Sequence, residues 1–141
     1  VNPFNPSRAD VREFFATAWQ KARDAKPATA LETLAGEWVR EHPEYHALLA
    51  APVKTENDVA GGEANPFLHL SMHLSISEQV SIDQPPGIRA AAERLAARLG
   101  SVHEAQHTIM ECLGEVLWNA QRQNQEPDGA AYLECVKRAA G

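Results

Sequence analysis

The stretch "NPFLHLSMHLSISEQ", residues 65–79, admits two opposite readings, and the choice between them decides the fold. Leu68, Leu70, Met72, Leu74 and Ile76 alternate without a break with His69, Ser71, His73, Ser75 and Ser77. That is the period-2 pattern of a half-buried strand. Asn65-Pro66 argues the other way. A capping side chain followed by proline at the first helical position is a helix start, because the missing N–H is one that the helix leaves unbonded anyway. Of the alternating apolar residues only Ile76 is β-branched, and no second convincing strand exists to pair with this one. The stretch is therefore predicted to be helical.

A helix changes what the two histidines mean. Residues four apart on a helix lie one above the other, with Cβ atoms about 5–6 Å apart. At about 100° per residue, His73 lies about 40° round from His69, among Met72, Ile76, Val80, Leu70 and Leu74. Ser71, Ser75, Glu78 and Gln79 fall on the opposite side. The pair is predicted to face the core.

The spacing recurs. "HPEYH" places His42 and His46 four apart, and "HEAQH" does the same for His103 and His107. All six histidines of the chain fall into such pairs. Random placement would give roughly 0.2 pairs by template counting. On the helix that carries His103, the stripe continues to Glu111 and runs along one edge of the apolar face, beside Gly114. A mid-helix glycine costs about 1 kcal/mol relative to alanine, so close packing or open space beside the stripe is expected to offset it. Imidazole and carboxylate suit zinc, iron, manganese or nickel, and helical bundles build such sites in their cores. The expected ligands are His69, His73, His103, His107 and Glu111, with a transition metal, zinc or iron, between them. Glu104, Glu115, His42 and His46 form a second tier. Pro43 interrupts the helix between the last two, so their spacing does not guarantee a shared face.

"HEAQH" also matches HExxH, in which two histidines bind zinc and the glutamate activates water. Ser101-Val-His-Glu104 is equally a capping box, and no strand is available to hold an extended peptide. A peptidase is the minor alternative. The larger alternative is a non-catalytic module whose histidines serve packing or assembly.

The rest of the chain reads as helices divided by turns. The first starts at Ser7 or Asp10, buries Val11, Phe14, Phe15, Ala18 and Trp19, and stops at Lys26-Pro27. Thr29-Ala-Leu-Glu32 is a capping box opening a second helix, whose stripe is Leu31, Leu34, Trp38, His42, Tyr45 and Leu49. Residues 51–64 read as an exposed loop, and "DQPPG" at 83–87 as a turn. Helices follow from Ile88 to Leu99, stopped by Gly100, then from 102 to 123, and from Asp128 onward. The expectation is an all-α fold: one domain over residues 1–141, a bundle of five to six helices with short loops.

Net charge is −6 with histidines neutral, and no lysine or arginine cluster offers a face to phosphates, so nucleic acid is not an expected partner. No run reaches the ~18 apolar residues of a membrane span. "VNPFNPSRADVREFF" lacks the charged-then-apolar pattern of a signal peptide. Cys112 and Cys135 sit within helical patterns and are too few for a disulfide scaffold, so a reducing cytoplasm is expected. Self-association is left open by the sequence.

"HPEYHALL", "NPFLHLSMHLSISEQVSIDQPPGIR" and "HEAQHTIMECLGEVLWNAQR" together resemble the bacterial family called domain of unknown function 1841. The likeness runs from "FNPSRADVREFF" to "AAYLEC". It implies a small helical cytoplasmic protein and brings no activity or catalytic residue with it. The histidine pattern is also similar to that of hemerythrin-type and DinB-type bundles, which bind metals at HxxxH and HxxxE spacings. That likeness is one of site pattern alone.

Overall fold

The computed structural model describes residues 8–50 and 66–141. Among them are seven α-helices and no strand: α1 (Arg8–Arg23), α2 (Ala30–Arg40), α3 (His46–Ala50), α4 (Pro66–Ile82), α5 (Ile88–Leu99), α6 (Val102–Gln123) and α7 (Gly129–Ala140). The alternating stretch is indeed helix, as its cap signal predicts. The expected loop at 51–64 lies outside the described residues. The helix count exceeds the expected five to six, and Pro43 is the reason. Without an N–H, and with its ring against the preceding turn, it ends α2 at Arg40. A 3-10 turn, Pro43–Tyr45, leads into the five-residue α3. The stripe from Leu31 to Leu49, expected to be interrupted at Pro43, is thus carried by two helices, and Leu31 is 40% exposed rather than part of it.

The chain divides into two compact units, one ending at Leu74 and the other beginning at Ser75, within α4. In the first, α2 opens with the predicted capping box. Thr29 Oγ1 accepts from the Glu32 N–H at 3.0 Å, and the Glu32 carboxylate accepts from the Thr29 N–H at 2.9 Å. The same carboxylate takes the Lys21 ammonium of α1 at 2.9 Å. The Thr29 N–H foremost, and then Lys21, hold the Glu32 carboxyl below its ordinary pKa. Small residues let α1 and α2 approach closely: a Cβ on Gly36 would stand 3.1 Å from Ala22 Cβ and 3.2 Å from Ala18 O. The core comprises Phe15, Ala18, Ala35, Trp38, Val39, Leu49, Phe67 and Leu70. Arg12 is buried beside it, its guanidinium donating to the Leu48 carbonyl at 2.7 Å, which ties α1 to α3.

In the second unit the "DQPPG" turn is organised by Asp83, whose carboxylate accepts from the N–H groups of Gly87 and Arg89. Gly87 (φ 102°) and Gly100 (φ 75°) occupy the left-handed region at the two ends of α5, where a side chain would be strained. Ile88, Leu95, Ile109 and Val136 are fully or almost fully buried. The Tyr132 hydroxyl donates to Gln79 Oε1 at 2.6 Å, and burial pushes its pKa well above the usual tyrosine value. Cys112 of α6 and Cys135 of α7 form a disulfide across a separation of 23 residues. The sequence reading expected free thiols. Two cysteines within helical patterns still meet when their helices pack side by side, and the bond removes the argument from free thiols for a reducing compartment. No helix among the described residues is long and apolar enough to cross a membrane.

Candidate metal centre

Three of the six histidines converge in the first unit. His69 and His73 stand one turn apart on α4, with their Nε2 atoms 3.1 Å apart and their rings nearly perpendicular. His42 lies two residues beyond the end of α2, where the chain has left helical geometry for the turn that Pro43 opens. Its Nε2 is likewise 3.1 Å from His69 Nε2. His73 has no exposed surface and His42 is 2% exposed, while His69 is half-buried.

The rings are held from outside. His42 Nδ1 lies 2.7 Å from the Trp38 carbonyl. A carbonyl only accepts, so Nδ1 carries the proton, and in the neutral ring Nε2 is the nitrogen with the lone pair. This is the usual device by which a protein orients a metal-binding histidine. Tyr45 stacks parallel to the His42 ring at 5.3 Å, and Trp38 stacks on His73 at 4.0 Å. Burial, and then the charge of Glu44, push the Tyr45 hydroxyl pKa up.

Proton arithmetic shows what the cluster is suited to. His42 Nε2, bare, must accept from His69 Nε2. That nitrogen then holds a proton and has no lone pair to offer His73, whose Nε2 stands at the same 3.1 Å. One proton cannot fully serve both contacts. A cation between the three nitrogens would take a lone pair from each. The spacing agrees: nitrogens about 2.0–2.1 Å from a tetrahedral zinc stand about 3.3 Å from one another.

The second unit carries the other predicted pair. His103 and His107, half-buried on α6, have Nε2 atoms 3.1 Å apart and rings at 71°. Glu111, Glu104 and Glu115 are exposed. Among the described residues no carboxylate joins the group of close-lying histidine nitrogens. Ser101 caps α6 by accepting from the Glu104 N–H at 3.1 Å, but the reciprocal bond of a full capping box is not formed. Gly114 has open space beside it, one of the two alternatives expected for it: among the described residues, nothing beyond its chain neighbours and its own helix backbone lies within 4 Å of where its Cβ would be.

His42, a second-tier candidate in the sequence, is brought beside His69 in the structure. The proline that breaks its helix is what swings it toward His69. Its stripe-mate Trp38 was the available signal, since that residue supplies both the carbonyl for His42 and the ring for His73. His46 stands apart. Its Nε2 donates to the Val39 carbonyl at 2.9 Å and its ring stacks on Trp19 at 4.3 Å, so it serves packing.

Fold and site together define, over the described residues, a helical fold with a histidine cluster that could hold a metal ion. The chain belongs to the family described as a domain of unknown function (DUF1841), whose model matches residues 7–138. No curated protein and no solved structure matches it. The family description names no activity, so the chemistry rests on the residues themselves.

Proposed function

We propose that this protein binds a transition metal, zinc or iron, through His42, His69 and His73. The observation that carries this reading is the convergence of three Nε2 atoms with the His42 tautomer fixed by the Trp38 carbonyl. The HxxxH pattern of α6 makes His103 and His107 a second candidate pair, within the other unit. Glu111 is exposed and its removal is expected to leave metal content unchanged. Three imidazoles leave a position open in a tetrahedral set.

Elemental analysis of untagged protein tests the reading. On the order of one ion per chain is expected, removed by chelator or by acid as the imidazoles take up protons. The metal should raise the melting temperature, because it binds the native state in preference to the unfolded one. Trp38 fluorescence should respond to cobalt(II), since its ring lies on His73. Protein that stays substoichiometric after reconstitution with zinc, iron(II) or cobalt(II) would sink the proposal.

One observation favours the packing alternative instead. Every ring of the cluster has an aromatic neighbour, as His46 does, and stacked histidines hold helices together without an ion. On that reading cluster variants would lose stability equally with and without chelator. For a peptidase the structure offers no specific support: Glu104 is exposed and its backbone is engaged in the cap of α6.

A further inference from the structure

We propose that this protein self-associates through α6, two copies packing their α6 helices antiparallel with Trp118 of each seated over Gly114 of the other. α6 buries Ala105, Ile109, Cys112, Val116 and Ala120 along one line. At about 100° per residue, Gly114 lies about 140° round from that line, with Trp118 about 40° to one side of it and Leu117 about 60° to the other. This second face is apolar and open. Trp118 is 58% exposed and Leu117 43% exposed, and side by side they make a patch of the kind that marks an interaction site. Between them Gly114 is a hollow: among the described residues, nothing beyond its chain neighbours and its own helix backbone lies within 4 Å of where its Cβ would be. One face thus carries both a ridge and a hollow to receive it.

Charge sets the orientation. Glu111 and Arg122 are both exposed, on the Trp118 side of this face. About three turns separate them, so they lie about 20° apart along one edge. Arg122 is held in place there: its guanidinium lies 4.3 Å from the centre of the Trp118 ring and donates to Asn119 Oδ1 at 3.0 Å. Parallel pairing about a two-fold axis would bring Glu111 to Glu111 and Arg122 to Arg122, like charge to like. Antiparallel pairing brings Glu111 of each copy to Arg122 of the other, and the symmetry makes that contact twice. The same register sets Trp118 level with Gly114 of the second copy, to within about 1.5 Å along the axis, and Leu117 against its counterpart. Charge, ridge and hollow agree on one register, so the face is complementary to itself. The contact is short, about 16 Å of helix, which fits a weak, concentration-dependent dimer rather than a permanent one.

Sedimentation equilibrium of the full chain, from micromolar to millimolar concentration, tests the proposal, with circular dichroism to check that each variant is folded. A monomer–dimer equilibrium is expected. Trp118→Ala should weaken it at least about tenfold, since a central tryptophan is a common hot spot. Glu111→Arg and Arg122→Glu should each weaken it by setting like charges together, and the two combined should restore association to within a few-fold of the parent, because the attraction is re-formed with its sign reversed. A double variant as weak as the single ones would refute this register, and the proposal with it. A dimer unchanged by Trp118→Ala would lie on another surface and overturn it equally. So would a chain that stays monomeric at millimolar concentration. Hydroxyl-radical labelling of that monomer would then name the other occupant: Trp118 protected assigns the face to another part of the same chain, and Trp118 labelled leaves it to a different protein.

Discussion

The pairs His69–His73 and His103–His107 share a four-residue spacing, a helical backbone and an Nε2–Nε2 separation of 3.1 Å. They differ in their surroundings. His73 is sealed beneath Trp38 and its neighbour His69 meets a third imidazole from beyond α2, whereas His103 and His107 are both half-buried on α6. Helix geometry alone sets the distance within each pair. What makes one pair the nucleus of a site is the residue brought to it from elsewhere in its unit, and the tautomer that residue is forced to adopt.

Substitution at the two pairs should give the largest difference. His73→Ala removes a buried ring and a ligand at once. It is expected to cost about 3 kcal/mol of stability without metal, in the range of large-to-small core changes. It should also cost metal affinity at least about 100-fold, since loss of an outer-shell partner alone costs 10–100-fold. His103→Ala, half-buried, should cost about 1 kcal/mol and about tenfold in affinity or less. Thermal melts and cobalt titrations of both variants decide the matter. Equal losses would erase the distinction between the pairs.

Reduction of the disulfide comes next, and separates the units. The Cys112–Cys135 bond closes a loop of 23 residues within the second unit, worth about 3 kcal/mol on the chain-entropy account. Reductant, or Cys135→Ser, should lower the melting temperature while cobalt binding by the histidines of the first unit persists. Loss of the cobalt bands on reduction would show that the centre depends on the packing of α6 and α7.

The smallest effects should come from two helical glycines, one in each unit. Gly36→Ala sets a methyl 3.1 Å from Ala22 Cβ and 3.2 Å from a backbone oxygen, and is expected to destabilise by about 1 kcal/mol or more. Gly114→Ala meets nothing within 4 Å among the described residues beyond its chain neighbours and its own helix backbone, and should gain up to about 1 kcal/mol from helix propensity. Chemical denaturation of the two variants should therefore show shifts of opposite sign. A destabilising Gly114→Ala would mean that the open space beside α6 is used.

The sequence by itself determined the helices. Thr29 and Glu32, Ser101, Asp128 and Gly100 mark helix ends through bonds made within a few residues, so their meaning is local. It determined that residues 66–82 are helical despite perfect alternation, because a proline at the first helical position acts on the backbone directly while alternation says only which side chains are apolar. It determined that His73 faces inward, since a helix carries every residue round its axis by a fixed angle. It also pointed to four-residue histidine pairs whose nitrogens can meet. The tertiary structure decided the rest. Pro43 announced a break, but the direction in which the chain left α2 depended on the packing of Trp38 and Leu49 in the core. That direction brought His42 to His69 and left His46 against Trp19. Two cysteines placed 23 residues apart on different helices met only because α6 and α7 pack side by side. A contact between distant residues depends on how whole elements dock, and docking is fixed by the sum of many weak apolar contacts that no short motif encodes.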